Sequence, residues 1–194
     1  MTESPEQLDR LLEELTRWSA LERAGETAAG RMREGWLRRQ AAEEATWAGL
    51  AADLAERRAS VVVHVAGGRA HRGRLVASGG DFLLLVVGDE SSRPVPLLLA
   101  LAFVTAMRRP TGDVPPGPTE RRVDEKLPSL ASLLARLSGE RPRVRVVLVG
   151  GETVVGDLDA VGQDVAIVRL LDGQGAVAYL RLVAVAEVSL LGSG

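Results

Sequence analysis

The chain of 194 residues has no cysteine and no asparagine, and aromatic residues make up only 3% of it. The lack of cysteine excludes disulfides, thiolate metal ligands and cysteine nucleophiles, and it is compatible with a reducing compartment. A strong excess of one charge is also missing: the formal net charge is -2, so no overall basic field draws the protein to nucleic acid. Hydrophobic residues (46%) and charged residues (26%) are balanced as in a soluble globular protein.

Long hydrophobic runs and targeting segments are absent as well. The longest apolar stretch, at 95–107, is well short of the ~18 residues that a membrane span needs, and Pro96 interrupts it. The chain starts with an acidic amphipathic stretch, so we predict no signal peptide. These features predict a cytoplasmic protein without membrane association. Lys126 is the only lysine, and the preference for arginine, alanine, valine, leucine and glycine indicates a GC-rich bacterial genome.

The first part of the chain has the spacing of amphipathic helices. Leu8, Leu11 and Leu15 recur at intervals of three and four positions, and a second such pattern runs over 32–54. All three tryptophans lie in these patterns: Trp18, Trp36 and Trp47. Their side chains either pack within the protein or bind a partner, because tryptophan is enriched at binding hot spots.

From Ser60 onward hydrophobic residues alternate with a period of two, as in strands. One sequence pattern then occurs twice. The stretch GGRAHRGRLVASGGDF at 67–82 aligns without a gap with GGETVVGDLDAVGQDV at 150–165. After the next polar loop we predict an offset shorter by one position, which pairs Leu98 with Leu180. The sequence therefore predicts two copies of a unit made of one helix and five strands.

Each predicted copy resembles the Sm-like (LSm) family, over about 47–107 and 130–191. The stretches that carry the resemblance are VAGGRAHRGRLVASGGDFLLL and LVGGETVVGDLDAVGQDVAIV. They match the family's first motif in an inner glycine, an apolar residue two positions later and a loop aspartate: Gly73, Leu75 and Asp81, then Gly156, Leu158 and Asp164. The resemblance implies an α+β fold, with an N-terminal amphipathic helical segment followed by two repeated helix-plus-five-strand Sm-like small β-barrels. A generic SH3-like barrel is the alternative.

This interpretation divides the chain into four parts. The helical segment is 1–46, and the first Sm-like barrel with its leading helix is 47–108. A Pro/Gly-rich linker without hydrophobic period follows at 109–126. The second barrel with its leading helix is 127–194.

The base-binding pocket of RNA-binding Sm proteins does not carry over to this chain. Those proteins place an asparagine directly after the loop aspartate, where this chain has Phe82 and Val165. The family's second motif, a basic residue beside a glycine near the last strands, is absent too.

The residue types that carry chemistry are few. His64 and His71 align with Val147 and Val154, so we interpret both histidines as incidental rather than as ligands or bases. The recurring residues Gly73, Asp81, Gly156 and Asp164 fit structural turns and bends, since aspartate accepts backbone N–H bonds there. We predict no enzyme activity, no cofactor, no metal site and no small-molecule substrate. An enzyme that uses Asp81 or His71 is the weakest hypothesis.

Two functions from different classes follow. The first is a non-enzymatic scaffold or adaptor. Its two barrels would pair with each other or with copies from other chains through the exposed edges of their last strands, and its helices would recruit a protein partner or complete the oligomer. The second is an RNA-binding protein that uses the basic side chains of the first copy and the linker. Those side chains are Arg69, Arg72, Arg74, Arg108, Arg109, Arg121 and Arg122.

Overall fold

The computed structural model describes residues 46–88, 93–109, 127–171 and 175–191, with six helical residues before them. Those six are Met32, Gly35, Trp36, Arg39, Gln40 and Glu43. The chain forms two compact units, Met1–Ala45 and Thr46–Gly194. All of the described strands lie in the second unit.

The described part of the second unit contains two α-helices and ten strands. The helices are α1 (Trp47–Glu56) and α2 (Leu130–Ser138). The strands are β1 (Ser60–Val65), β2 (Arg69–Ser78), β3 (Phe82–Val87), β4 (Val95–Ala100), β5 (Val104–Arg108), β6 (Arg143–Leu148), β7 (Thr153–Val161), β8 (Val165–Leu170), β9 (Val177–Arg181) and β10 (Val185–Leu191). One turn of 3₁₀ helix precedes β5 (Leu101–Phe103) and another precedes β10 (Leu182–Ala184).

The ten strands form one open antiparallel sheet in the order β5-β1-β2-β3-β4-β10-β6-β7-β8-β9. The prediction of two repeated helix-plus-five-strand Sm-like β-barrels is therefore wrong. It failed because a sequence pattern indicates which residues form strands, but not which strand edges meet. Here β4 pairs with β10 from the other half of the chain, and the sheet ends at β5 and β9 without closing.

Strands β1 to β3 have the same pairing irregularities as β6 to β8. The β2–β3 register shifts between Leu75 and Ala77, and the β7–β8 register shifts between their aligned counterparts, Leu158 and Ala160. Both shifts mark β-bulges, which bend the strand that carries them. Each half of the sheet thus has a bend at the same place in its second strand.

The last two strands of each half also correspond, β4 to β9 and β5 to β10. Leu83 lies opposite Leu99, and its aligned counterpart Ala166 lies opposite Leu180. Leu180 therefore takes the place of Leu99 and not that of Leu98. The predicted pairing of Leu98 with Leu180 is wrong by one position, because the connection between the third and fourth strands is shorter in the second half than we predicted.

Two hydrophobic clusters form the core, and each takes side chains from both halves of the sheet. The cluster under the first half includes Ala186 from β10. The cluster under the second half includes Phe82 and Leu98 from the first half. Burying a large apolar side chain contributes about 1.5–3 kcal/mol. The exchange of side chains across β4 and β10 therefore joins the halves into one folded body.

Both helices begin at a hydroxyl cap and pack on the second strand of their own half. The Thr46 hydroxyl accepts a hydrogen bond from the Gly49 amide, and the Ser129 hydroxyl accepts one from the Ser132 amide. These bonds satisfy amides that a helix leaves unpaired in its first turn. Helix α1 lies against β2, and α2 lies against β7.

We expect Gly156→Ala to lower the free energy of unfolding by about 1–3 kcal/mol, the usual cost of overpacking. A Cβ at Gly156 would overlap the carbonyl oxygen of Arg169 on β8. Gly150→Ala is the matched control, because a Cβ there meets nothing within 4 Å, and its effect should stay within about 1 kcal/mol. Urea denaturation of both variants checks this, and equal stabilities would contradict the close approach.

Candidate functional site

The junction between the two halves is an antiparallel pair of strands, β4 and β10. Leu98 lies opposite Val188, and Leu99 lies opposite Glu187. Leu98 is only 1% exposed, because its side chain packs in the hydrophobic cluster under the second half of the sheet. At this junction a strand of the first half, β4, pairs with β10, a strand of the second half.

A buried carboxylate crosses this junction. Glu187 is 1% exposed, and its Oε1 accepts a hydrogen bond from Arg69 Nε at 2.7 Å. His71 Nε2 lies 3.0 Å from the same oxygen, outside hydrogen-bond geometry, and forms an ion pair with it when protonated. Arg69 and His71 lie on β2, so the cluster connects the first half of the sheet to a strand of the second half.

The surroundings of Glu187 shift its pKa. Burial acts to raise the pKa of the carboxyl, while the polar contacts and charges of His71 and Arg69 outweigh burial and hold the pKa below its ordinary value. The carboxylate is therefore ionised at neutral pH, where it offsets the charge of Arg69. Sequence reasoning missed this role; the signal was a single glutamate among the apolar residues of β10.

A second polar contact crosses the same junction at the turn before β3. Asp81 Oδ1 accepts a hydrogen bond from the Leu130 amide at 2.6 Å, and the Gly80 amide donates to the Pro128 carbonyl at 3.1 Å. Leu130 is the first residue of α2, so an aspartate of the first half caps a helix of the second half. A carboxylate is favourable there because helix N-termini carry partial positive charge.

Asp164 is the residue of the second half that corresponds to Asp81. It lies in the turn between β7 and β8, as Asp81 lies in the turn between β2 and β3. Its side chain is exposed, and within the described residues its carboxylate has no hydrogen-bond partner. The second half thus has an aspartate at the position of Asp81, but among the described residues no helix begins next to it.

Strands β5 and β9 are the two outer strands of the sheet, and no other described strand pairs with their outer edges. On β9, Tyr179 is 72% exposed and Val177 is exposed beside it. Because Leu180 corresponds to Leu99, Tyr179 occupies the place on its strand that Leu98 has on β4. The position that holds a buried leucine on β4 therefore holds an exposed tyrosine on the outer strand β9.

The backbone of Tyr179 also points away from the sheet. At the two ends of the β8–β9 pair, the Leu182 amide donates a hydrogen bond to the Asp164 carbonyl, and the Leu170 amide donates one to the Ala176 carbonyl. In an antiparallel ladder the bonded residues alternate with residues that face outward. Tyr179 lies an odd number of positions from both Ala176 and Leu182, the bonded residues on either side of β9, so its N–H and C=O are directed to the open edge.

Three of the predicted basic residues share one face of the first half. Arg72 lies opposite Val62, and Val62 lies opposite Arg108, so the three residues form a row across β2, β1 and β5. Arg74 lies two positions further along β2, on the same face. The side chains of Arg72, Arg74 and Arg108 are exposed. The corresponding residue of Arg74 in the second half is Asp157, so the second half lacks this cluster.

The structure separates other predicted arginines from this row. Arg69 binds Glu187 and lies on the opposite face of β2. Arg109 is half-buried directly after β5. Arg121 and Arg122 lie outside the described residues. The described part of the chain therefore groups only three of the predicted arginines.

Two of the three tryptophans lie within the described residues. Trp36 is 58% exposed in the helical residues of the first unit, and Trp47 is 38% exposed at the start of α1. Trp18 lies outside the described residues. Trp47 belongs to the unit that contains the sheet, and its helix packs on β2.

The described residues provide no evidence for a metal or membrane site. His64 lies on β1, where its Nε2 is buried without a hydrogen-bond partner. No group of three or more histidine, aspartate or glutamate side chains among the described residues could hold a metal ion. Over the same residues, none of the helices has the length and apolar character needed to cross a membrane.

We expect Glu187→Gln to lower the free energy of unfolding at pH 7 by about 3–5 kcal/mol, because Arg69 loses its buried counterion. The folded-state pKa of Glu187 is depressed, so its stabilisation is complete above the ordinary carboxyl pKa and is lost as pH falls through the folded-state value. The difference between the two proteins should therefore shrink below about pH 4.

Denaturation of both proteins from pH 7 to pH 3 measures this difference. Glu152→Gln, at an exposed glutamate, is the control and should leave stability nearly unchanged. A difference for Glu187→Gln that stays constant over the whole pH range would show that the carboxylate is not the stabilising group.

Comparison with known proteins assigns no family to this chain. No protein-family model matches the sequence, and no curated protein matches it. The resemblance to Sm-like proteins therefore stays a prediction, and the sheet's own geometry has to support any function.

Proposed function

We propose that the protein is a non-enzymatic binding and assembly protein, a scaffold that joins copies of itself or a protein partner through the open edges of its sheet. The observation that supports this most is the contrast between β4 and β9. The two strands correspond, yet β4 is covered by β10, while β9 is the last strand of the sheet. An uncovered edge offers unpaired N–H and C=O groups to a further strand.

The composition of β9 favours binding at this edge. Proteins commonly protect an edge strand with charged side chains, proline or a bulge. Strand β9, VAYLR, has no proline and no bulge, and its one charged residue, Arg181, stands at its end. Its middle residue, Tyr179, directs its backbone outward and exposes an aromatic ring. Tyrosine is enriched at interface hot spots because it combines a large apolar area with a polar end.

The chemistry of the edge suits recognition of a strand. Main-chain hydrogen bonds supply affinity in strand addition, and alternate side chains supply specificity. The two halves of the sheet make such a contact inside the chain, where Leu98 lies against Val188. The proposed activity is therefore a repetition, at the edge, of a contact that the fold already makes.

We expect Tyr179→Pro to weaken association at least tenfold. Proline removes the outward N–H and the aromatic side chain, and an edge position tolerates it because this N–H makes no bond within the sheet. Tyr179→Thr, which removes the ring but keeps the N–H, should have an intermediate effect. Sedimentation velocity over a range of concentrations measures the fraction heavier than the 20.6 kDa chain. Equal association of all three proteins, with unchanged circular dichroism, would exclude β9 as the binding edge.

RNA binding is the second candidate function, and the row of Arg72 and Arg108 with nearby Arg74 favours it. Exposed guanidinium groups on one face suit a run of phosphates, and such contacts do not need a base pocket. Three phosphate contacts on a single strand would make affinity fall about 20-fold between ~50 and ~200 mM salt.

We expect the double variant Arg72→Glu, Arg74→Glu to abolish binding of a mixed-sequence single-stranded RNA if this candidate is right. Fluorescence anisotropy at the two salt concentrations is the measurement. The control is Arg136→Glu with Arg141→Glu, which makes the same change of charge away from this face. Affinities that are equal for the wild type and the first variant would exclude the basic row.

A further inference from the structure

We propose that the first half of the sheet binds an acidic protein segment on its basic face, the face of β2, β1 and β5 that carries Arg72, Arg74 and Arg108. This inference goes beyond the proposed function, because the contact is made by side chains on a face of the sheet and not by backbone groups at an open edge. Its basis is a comparison of the basic face with the corresponding face of the second half.

The arginines of the basic face have no partner within the described part of the chain. The side chains of Arg72, Arg74 and Arg108 are exposed, and no hydrogen bond or ion pair there holds any of them. On the opposite face of β2, by contrast, Arg69 is bound to Glu187. A guanidinium group offers five donors in a planar fork that matches a carboxylate. The basic face therefore presents three such groups to a partner.

The second half shows that arginines on the corresponding face pair with carboxylates of a neighbouring strand. Arg143 Nε on β6 lies 3.5 Å from Asp157 Oδ1 on β7. Arg169 Nη2 on β8 lies 3.3 Å from Asp159 Oδ1, also on β7. Exposed pairs of this kind add little stability, because water screens them. They do show that this face of the fold brings arginine and carboxylate side chains within reach of each other.

The basic face lacks the carboxylates that the second half has. The residues that correspond to Asp157 and Asp159 are Arg74 and Val76. The five strands of the first half contain no aspartate and no glutamate. A protein that covers the basic face has to supply the missing carboxylates, because guanidinium groups left unpaired in an interface are costly. The charge of this face therefore favours an acidic partner.

The residues between the arginines favour a protein segment over a nucleic acid. Val62 lies between Arg72 and Arg108, and Ala70 and Ala106 lie on the same face. Small aliphatic side chains with arginines around them suit a protein interface, in which arginine is enriched. Proteins that bind single-stranded nucleic acid stack the bases on aromatic side chains. The strands β1, β2 and β5 contain no phenylalanine, tyrosine or tryptophan.

The spacing of the arginines fits an extended segment. Arg72 and Arg74 are two positions apart on β2, so their Cα atoms are about 7 Å apart. An extended peptide carries every second side chain on one side with the same repeat. Arg108 lies two strands from Arg72, at about 10 Å across the sheet. One extended segment along β2 thus meets two of the arginines, and its flanking residues meet the third.

Fluorescence anisotropy of a labelled peptide of alternating glutamate and threonine tests the chemistry of the partner. The control peptide has glutamine in place of every glutamate. We expect the wild-type chain to bind the acidic peptide at least tenfold more tightly than the control peptide at ~50 mM salt, where exposed charges are weakly screened. Equal affinity for the two peptides, or no binding of either, overturns the inference.

Variants of the basic face test the location of the contact. The double variant Arg72→Glu, Arg74→Glu should bind the acidic peptide at least tenfold more weakly than the wild type. Arg72→Lys with Arg74→Lys keeps the charge but loses the planar fork, so its affinity should lie between the two. Arg136→Glu with Arg141→Glu makes the same change of charge elsewhere and should leave the affinity nearly unchanged. Equal peptide affinity of the wild type and the first variant overturns the inference, once circular dichroism has shown that both are folded.

Two further measurements separate this inference from the functions proposed above. A labelled single-stranded RNA of mixed sequence should bind more weakly than the acidic peptide under the same conditions. RNA that binds as tightly as the peptide, or more tightly, overturns the inference in favour of the second candidate function. Tyr179→Pro, which changes the open edge of β9, should bind the peptide like the wild type even when it no longer associates. Loss of peptide binding in Tyr179→Pro overturns the basic face as the docking surface and leaves the proposed edge in place.

Discussion

The pairing of β4 with β10 is the contact on which the rest of the structure depends. It turns ten strands from two halves of the chain into one sheet, and it lets each hydrophobic cluster take side chains from the opposite half. The same pairing decides which strands remain uncovered. With β10 bound to β4, β5 and β9 become the outer strands, and within the part of the chain that the structure describes no strand pairs with their outer edges.

Two polar contacts connect the halves of the sheet at this junction. Glu187 brings a carboxylate into the interior beside Arg69, and Asp81 accepts the first amide of α2. A buried ion adds little net stability over an apolar pair, but removing its partner is costly, so such a pair favours one arrangement over its alternatives. On β5, the strand that corresponds to β10, Ala106 stands in place of the glutamate. Stability of the fold and the pairing of β10 with β4 therefore depend on the same few side chains.

Sequence and structure agree at some residues and differ at others. Asp81 and Asp164 lie in turns between strands, whereas Gly73 and Gly156 lie within strands and the register shifts follow two positions after them. The resemblance to Sm-like proteins led to two separate barrels, and that was wrong, because pairing between strands distant in sequence leaves no local signal. Arg69 was predicted as a phosphate contact, yet it binds a glutamate of the other half. The error of one position at Leu180 has a related origin, since loop length cannot be read from hydrophobic alternation alone.

The sequence by itself determined the local elements: strand period, helix caps, the bend glycines and the recurrence of the pattern along the chain. These features depend on interactions between near neighbours in the chain, so the local sequence is enough to predict them. The tertiary structure alone decided that the sheet stays open, that Leu98 is buried while Tyr179 is exposed, and that Asp81 has a helix to cap while Asp164 has none among the described residues. Those differences depend on which edge meets which, and that choice is made by the summed burial and charge pairing of residues far apart in the chain.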